Sequence, residues 1–332
     1  EFRIAAWLHD CGKITTPEHI VDKGTKLEAN YNRINEIRTR FEVLRRDAKI
    51  EYLHALLHDE VNQEKAEAEF EEKVRQLNDD FEFLANANIG GEFMSEDKIA
   101  RVKQIADKTW LRYFDDRLGL SPFEEMNTPE QNASLPVMEK LLQDKSEHII
   151  RRIRPVEFEP EHRIQMQVPE HLYNMGEVYN LTISRGTLTP EDRFKINEHM
   201  ISGIKMLEAL PFPPELSNVP RYASTHHETL KGTGYPRKLN GDDLSIPERI
   251  LVIADIFEAL TAGDRPYKKA MSITVAIDTM YQMALEEHLD IDLFLLFLES
   301  GVYLDYAKKF LPESHVFEVD IQKYRLTKPS KV

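Results

Sequence analysis

Two short runs rich in metal-ligating side chains stand more than 200 residues apart, so only the fold can bring them together. The first is Leu8-His9-Asp10-Cys11-Gly12-Lys13. The second is the run HHETLKGTGYP, from His226 to Pro236. Neutral imidazole and carboxylate form the donor set of a hydrolytic transition-metal site, and Lys13 adds a positive charge suited to phosphate. On a helix, side chains at His226 and His227 project about 100° apart. They therefore suit two neighbouring ions, or one ion and one substrate oxygen. Gly232 and Gly234 permit a tight turn with positive φ, which Pro236 stiffens. The plainer alternatives are a helix cap at His9-Asp10 and a surface turn carrying two solvated histidines at His226-His227.

Two further residues favour the metal reading. His199 lies in LTPEDRFKINEHM, where Thr189, Pro190 and Glu191 form a helix-start pattern that places it about two turns into a helix. Asp255 lies in ILVIADIFEALTAGDRPYKKA, flanked by enough apolar residues to predict a helix buried nearly all round. A buried carboxylate there needs a cation, either a structural base or a metal. Beyond it, Arg265, Tyr267, Lys268 and Lys269 form a basic cluster suited to phosphate, or an ordinary charge run beside a helix. His54 and His58 share the i,i+4 spacing of a metal pair but have no third ligand, and read as surface positions.

Charge narrows the partners. Forty-three basic against 58 acidic residues give −15, which disfavours a nucleic-acid polymer or a membrane surface and confines anion binding to a local pocket. Cys11 is the single cysteine, so no disulfide forms within the chain and a reducing cytoplasm suits it. No apolar run approaches the roughly 18 residues of a membrane span. The chain opens mid-pattern, EFRIAAWLHD, and we expect further sequence upstream, through which a full-length protein would carry a sensory domain or a membrane tether.

The pattern along the chain predicts an all-α fold. Apolar residues at Ile34, Ile37, Phe41 and Leu44, and again at Phe70, Val74, Leu77, Phe81 and Leu84, step by three and four. With no proline between Pro17 and Pro122, one broken helix and two antiparallel helices fit equally. The acidic stretch Asp59 to Glu72 reads as a solvated face. Asn88-Ile89-Gly90-Gly91 is a stop, and Ser95 opens a helix expected to run through Trp110 and Tyr113. Asp115 to Pro136 is loop-like, and Pro190 to Phe310 reads as successive helices. Val316 to Tyr324 alternates enough to predict one strand. Pro17-Glu18-His19-Ile20 is echoed by Pro169-Glu170-His171-Leu172, as though the intervening segment were an insertion.

Together, HDCGK, HHETLKGTGYP and ADIFEALTAGDRPYKKA resemble the HD-GYP branch of the HD-domain metal-dependent phosphohydrolases, over about residues 1 to 28 and 168 to 285. The resemblance implies a helical bundle with two or three divalent ions, iron or manganese, that hydrolyses the bacterial second messenger cyclic di-GMP to pGpG or GMP. It makes His9, Asp10, His199, His226, His227 and Asp255 metal ligands, with Asp10 the bridge and a catalytic residue. It gives Lys13 a catalytic and phosphate-holding role, assigns phosphates to Arg265 and Lys268, and has Tyr235 shape the pocket. The family pattern has a further histidine ligand upstream of the HD pair, and Lys231 stands where an aspartate is usual. The organisation expected is a discontinuous catalytic domain, 1–28 and 168–287, with an inserted helical subdomain, 29–167, that packs on it or forms a homodimer. A C-terminal helical extension, 288–332, would follow. A different (cyclic di)nucleotide substrate, or a metal-binding cyclic-dinucleotide receptor with little turnover, would use the same residues.

Overall fold

The structure, a computed structural model, describes residues 1–57, 62–91, 93–128, 134–263 and 270–325. It is mostly α-helical. The chain divides into two compact units: Glu1–Asp22, Pro155–Val168 and Phe194–Val332 in the first, Lys23–Arg154 and Pro169–Arg193 in the second. A strap, Pro155–Val168, belongs with the first unit. No helix among the described residues is long and apolar enough to cross a membrane.

The second unit is built on two antiparallel helices, Ile34–Leu57 and Gln63–Ile89. Their apolar stripes meet with Phe41 against Phe81 and Tyr52 stacked on Phe70, at ring centroid distances of 5.4 and 5.2 Å. Asn62 starts the second helix by accepting the Glu64 N–H at 2.9 Å. Gly90 ends it at φ +78°, a conformation disfavoured for residues with a Cβ. The stripes close a core with Leu27, Val102, Leu141 and Leu181. His54, on the first of these helices, is exposed; His58, Asp59 and Glu60 lie outside the described residues.

The helix after Ser95 stops at Ala106, short of Trp110 and Tyr113. Thr109–Arg112 is instead a strand paired antiparallel with Val137–Lys140, and Ile149–Arg151 pairs with His171–Asn174. Thr, Trp and Leu suit a pleated surface once a partner strand is supplied. Within 115–136, Pro122–Asn127 forms one short helix, begun by the Ser121 capping box. The echoed segments differ in structure: Glu18–Val21 is a helical turn and His171–Asn174 a strand.

The two edges of the second unit are tied by Lys23 and Asp192, 2.7 Å apart with side chains only 4% and 7% exposed. Removing one member of such a pair strands the other charge at about 3–5 kcal/mol. Lys23→Met should therefore lower the thermal midpoint of this unit sharply; an unchanged melting curve would contradict the role assigned to the pair.

In the first unit, helices Ile246–Thr261, Ile273–Leu285, Ile291–Glu299 and Val302–Phe310 follow one another. They enclose Val252, Phe257, Ile277, Met280, Phe294 and Leu298. The first of them is not buried all round: Leu251, Val252, Ile253 and Phe257 are buried, whereas Ile250, Ala254 and Glu258 are exposed and Asp255 is half-buried. The strand expected over Val316 to Tyr324 is absent. Glu313–His315 is a 3-10 turn and Ile321–Arg325 a helix. Tyr324 packs edge-on against Tyr281 and donates to Asp278 at 2.8 Å. An alternating pattern needs a neighbouring strand, and here helices flank it.

A smaller core positions the site. Ala5 of helix Phe2–Leu8 and Ala223 of helix Val219–Ala223 are both buried in one cluster with Val219 and Leu207. Small residues let the two helices approach, and His9 and His226 emerge just beyond their C-terminal ends.

Candidate metal centre

Each of three histidines is oriented in the same way. Nδ1 of His9 donates to the Ala6 carbonyl at 2.7 Å, that of His199 to Ile196 at 2.6 Å, and that of His226 to Ala223 at 2.8 Å. A carbonyl only accepts, so Nδ1 carries the proton. In a neutral ring, Nε2 then presents its lone pair.

The Nε2 atoms converge on two carboxylates. His9 Nε2 lies 3.3 Å from Asp10 Oδ2 and 3.5 Å from Asp255 Oδ1. His199 Nε2 and His226 Nε2 lie 3.5 and 3.7 Å from Asp10 Oδ1. His227 packs against both, with ring centroids 5.3 Å from His199 and 4.2 Å from His226. Among the described residues, His199, His226 and His227 form one group able to hold a metal ion, and His9, Asp10 and His226 form another.

Asp10 Oδ1, His199 Nε2 and His226 Nε2 are buried without a hydrogen-bond partner among the described residues. Buried polar atoms are rarely left so. Here all three are lone-pair donors facing one another, and what satisfies such a set is an electrophile. The residues present thus fit a divalent cation.

The electrostatics point the same way. Burial first, and the neighbouring His9 second, depress His226 to about 4. Burial lowers His199, and burial with His226 beside it lowers His227 well below the usual range. These rings stay neutral, the form in which an imidazole can bind a metal ion. Burial alone would push His9 down, but its hydrogen bonds to Asp10 and Asp255 outweigh it and raise it to about 10. Burial would likewise raise Asp10 and Asp255, yet bonding to His9, and for Asp10 to Lys13, keeps both carboxyls below the ordinary range. The two carboxylates attract positive charge; without a metal, His9 supplies it as a proton.

Lys13 sits on the 3-10 turn Cys11–Thr15 with Nζ 2.6 Å from Asp10 Oδ2, its side chain 37% exposed. It fixes the outer oxygen of Asp10 and presents an ammonium at the rim. Gly12 lets this turn lie directly on helix Pro190–Glu208, since a Cβ there would come within 1.9 Å of the His199 carbonyl oxygen.

The glycine-rich loop folds back on the histidine pair. A Cβ at Gly234 would stand 2.5 Å from both Glu228 Cα and the His227 carbonyl oxygen. Tyr235 N–H donates to that oxygen at 3.1 Å, and the Tyr235 ring stacks on His227 at 4.7 Å. Glu228, buried, accepts the N–H groups of Arg237 and Leu239 at 2.7 and 2.9 Å. It holds the loop rather than an ion.

Sequence reasoning missed Arg237. This buried guanidinium donates to the His162 carbonyl at 2.9 Å and to Ser224 Oγ at 2.9 Å, joining the strap, the loop and the turn before His226. Gln165 N–H adds a bond to the Pro236 carbonyl at 2.8 Å. An arginine immediately after the loop was the only signal, and arginine is too often exposed for that to suffice. Arg265, Tyr267, Lys268 and Lys269 lie outside the described residues.

Residues 136–293 match the HD domain family. The match spans just under half of the chain. The matched stretch includes His199, His226, His227 and Asp255, whereas His9 and Asp10 join them through the fold. The chain is similar to a 3'3'-cGAMP-specific phosphodiesterase of Vibrio cholerae, 55% identical over 60 residues, 18% of this chain and 13% of that protein. It is also similar to cyclic di-GMP phosphodiesterases of Thermotoga maritima and Pseudomonas aeruginosa. The first is 34% identical over 32% of this chain and 28% of the relative; the second is 30% identical over 42% and 30%. The chain thus spans less than a third of the length of each of these relatives.

Proposed function

We propose that the chain is a metal-dependent phosphodiesterase that opens a cyclic dinucleotide, with cyclic di-GMP as the substrate and pGpG or GMP as the product. The observation that carries this reading is the convergence of three orphaned, buried lone-pair donors, Asp10 Oδ1, His199 Nε2 and His226 Nε2. The names of the similar proteins support the substrate class, and cyclic GMP-AMP, the substrate named for the Vibrio relative, is the second candidate.

Asp10 is suited to bridge two ions, because one oxygen faces His199 and His226 while the other faces His9 and Lys13. Asp255 and His227 would complete the two sides, with iron or manganese the expected metal and a third ion compatible with the family resemblance. When bound, such ions lower the pKa of a coordinated water toward neutrality and stabilise charge on the phosphoryl oxygens. Lys13 holds Asp10 in its bridging orientation and places its ammonium against a substrate phosphate. Tyr235, stacked on His227, fixes that ring and walls the pocket. We assign further phosphate contacts to Arg265 and Lys268. We also place the reaction in the cytoplasm and a homodimer contact on the insertion.

Full-length chain, loaded anaerobically with iron or manganese, should convert cyclic di-GMP to a linear product resolvable by chromatography. Binding without turnover would instead make it a receptor. Lys13→Ala should keep its metal yet lose about 10- to 100-fold in turnover, the worth of one charge-assisted contact. Unchanged turnover, measured alongside metal content, would remove Lys13 from the phosphate site.

A further inference from the structure

We propose that the first unit holds a second ligand site, separate from the metal centre, which takes a nucleoside monophosphate through Arg163 and Lys238. A cleft of about 750 Å³ opens between the strap, the end of the His199 helix and the segment following Pro236. That volume falls in the usual range of small-molecule sites, roughly 300–1,000 Å³. None of the six metal-site side chains lines it.

Two features of its lining point to an anion. Arg163 and Lys238 both adopt left-handed backbone, at φ 53° and 55°. Such conformations favour glycine or asparagine, and non-glycine residues held in them cluster at functional sites. Here two different chain segments each place a long cation at such a position on the same cleft. Neither side chain makes a hydrogen bond or ion pair among the described residues.

The lining carboxylates are mostly engaged. Glu208 faces His162 at 2.9 Å and Arg237 at 3.8 Å, and Asp243 accepts the Asn240 N–H at 3.1 Å. Glu161 alone remains exposed and free among the described residues. Two free cations against one free carboxylate suit a phosphate dianion. Leu207, Phe212 and Leu239 supply an apolar wall for a base. Arg237 also lines the cleft, so an occupant would rest on the residue that ties the loop to Ser224 and the turn before His226.

The test is calorimetric titration of the full chain with GMP, guanosine and inorganic phosphate. It is run on the wild type and on Asp10→Ala, which removes the proposed bridging carboxylate, so the second site is read whether or not hydrolysis occurs. Asparagine tolerates the left-handed region, so Arg163→Asn with Lys238→Asn removes the cations while keeping the backbone. GMP should bind Asp10→Ala at one site per chain, at least tenfold more tightly than guanosine or phosphate, and should bind that same site in the wild type. The double variant should weaken GMP at least tenfold with metal content and hydrolysis unchanged. Equal GMP affinity in parent and double variant, phosphate binding as tightly as GMP, or no GMP binding to Asp10→Ala would each overturn the proposal.

Discussion

Asp10→Ala should purify with little or no bound metal and lose hydrolysis by about 10³-fold or more. Losing the metals removes several kcal/mol of charge stabilisation, and each 1.36 kcal/mol is a factor of ten in rate. The single residue matters this much because its two oxygens face opposite halves of the site: His199 and His226 on one side, His9 and Lys13 on the other. The variant should still fold. Among the described residues its carboxylate makes no bond to the backbone of another element, and Ala5, Val219 and Ala223 hold the local core without it. Wild-type metal stoichiometry in Asp10→Ala, measured by elemental analysis, would show that the bridge lies elsewhere.

Gly12→Ala should be nearly as damaging, by a different route. The added methyl would lie 1.9 Å from the His199 carbonyl oxygen and 2.6 Å from the Gly203 nitrogen, both backbone atoms. Neither is a side chain that can rotate away, so the HD turn and the His199 helix must separate. Overpacking of this kind costs about 1–3 kcal/mol. It should also shift His199, and misplacing support for a ligand lowers metal affinity about 10- to 100-fold. Gly203→Ala is the control, because its Cβ would approach nothing closer than 3.8 Å and alanine favours a helix. Thermal melts and metal titrations of the two variants should therefore diverge. If they behave alike, close approach of these two backbones is not what positions His199.

Much of this site is legible in the sequence because its chemistry is written in residue types. His9, Asp10, His226 and His227 stand in rare local combinations, and His199 falls where the Thr189-Pro190-Glu191 helix start places it. The periodicity of Ile34, Ile37, Phe41 and Leu44 likewise reveals a helix, since burial on one face imposes the spacing. What the sequence conceals depends on partners distant along the chain. Thr109–Arg112 has only four residues, and its pairing with Val137–Lys140 is decided by tertiary contact. Val316 to Tyr324 alternates, but among the described residues no strand lies beside it. The apolar run around Asp255 predicts complete burial, whereas Ala254 and Glu258 are exposed and Asp255 is half-buried. The common tethering of three imidazoles to i−3 carbonyls, and the role of Arg237, exist only in the assembled fold.

The most direct test is a crystal structure of the manganese-loaded protein, with anomalous diffraction collected at the manganese edge. The expected result is strong anomalous density among His9, Asp10, His199, His226, His227 and Asp255, with a peak within bonding distance of Asp10 and His226. Density confined to other parts of the molecule, or none at full manganese loading, would contradict the assignment of a metal centre to these residues.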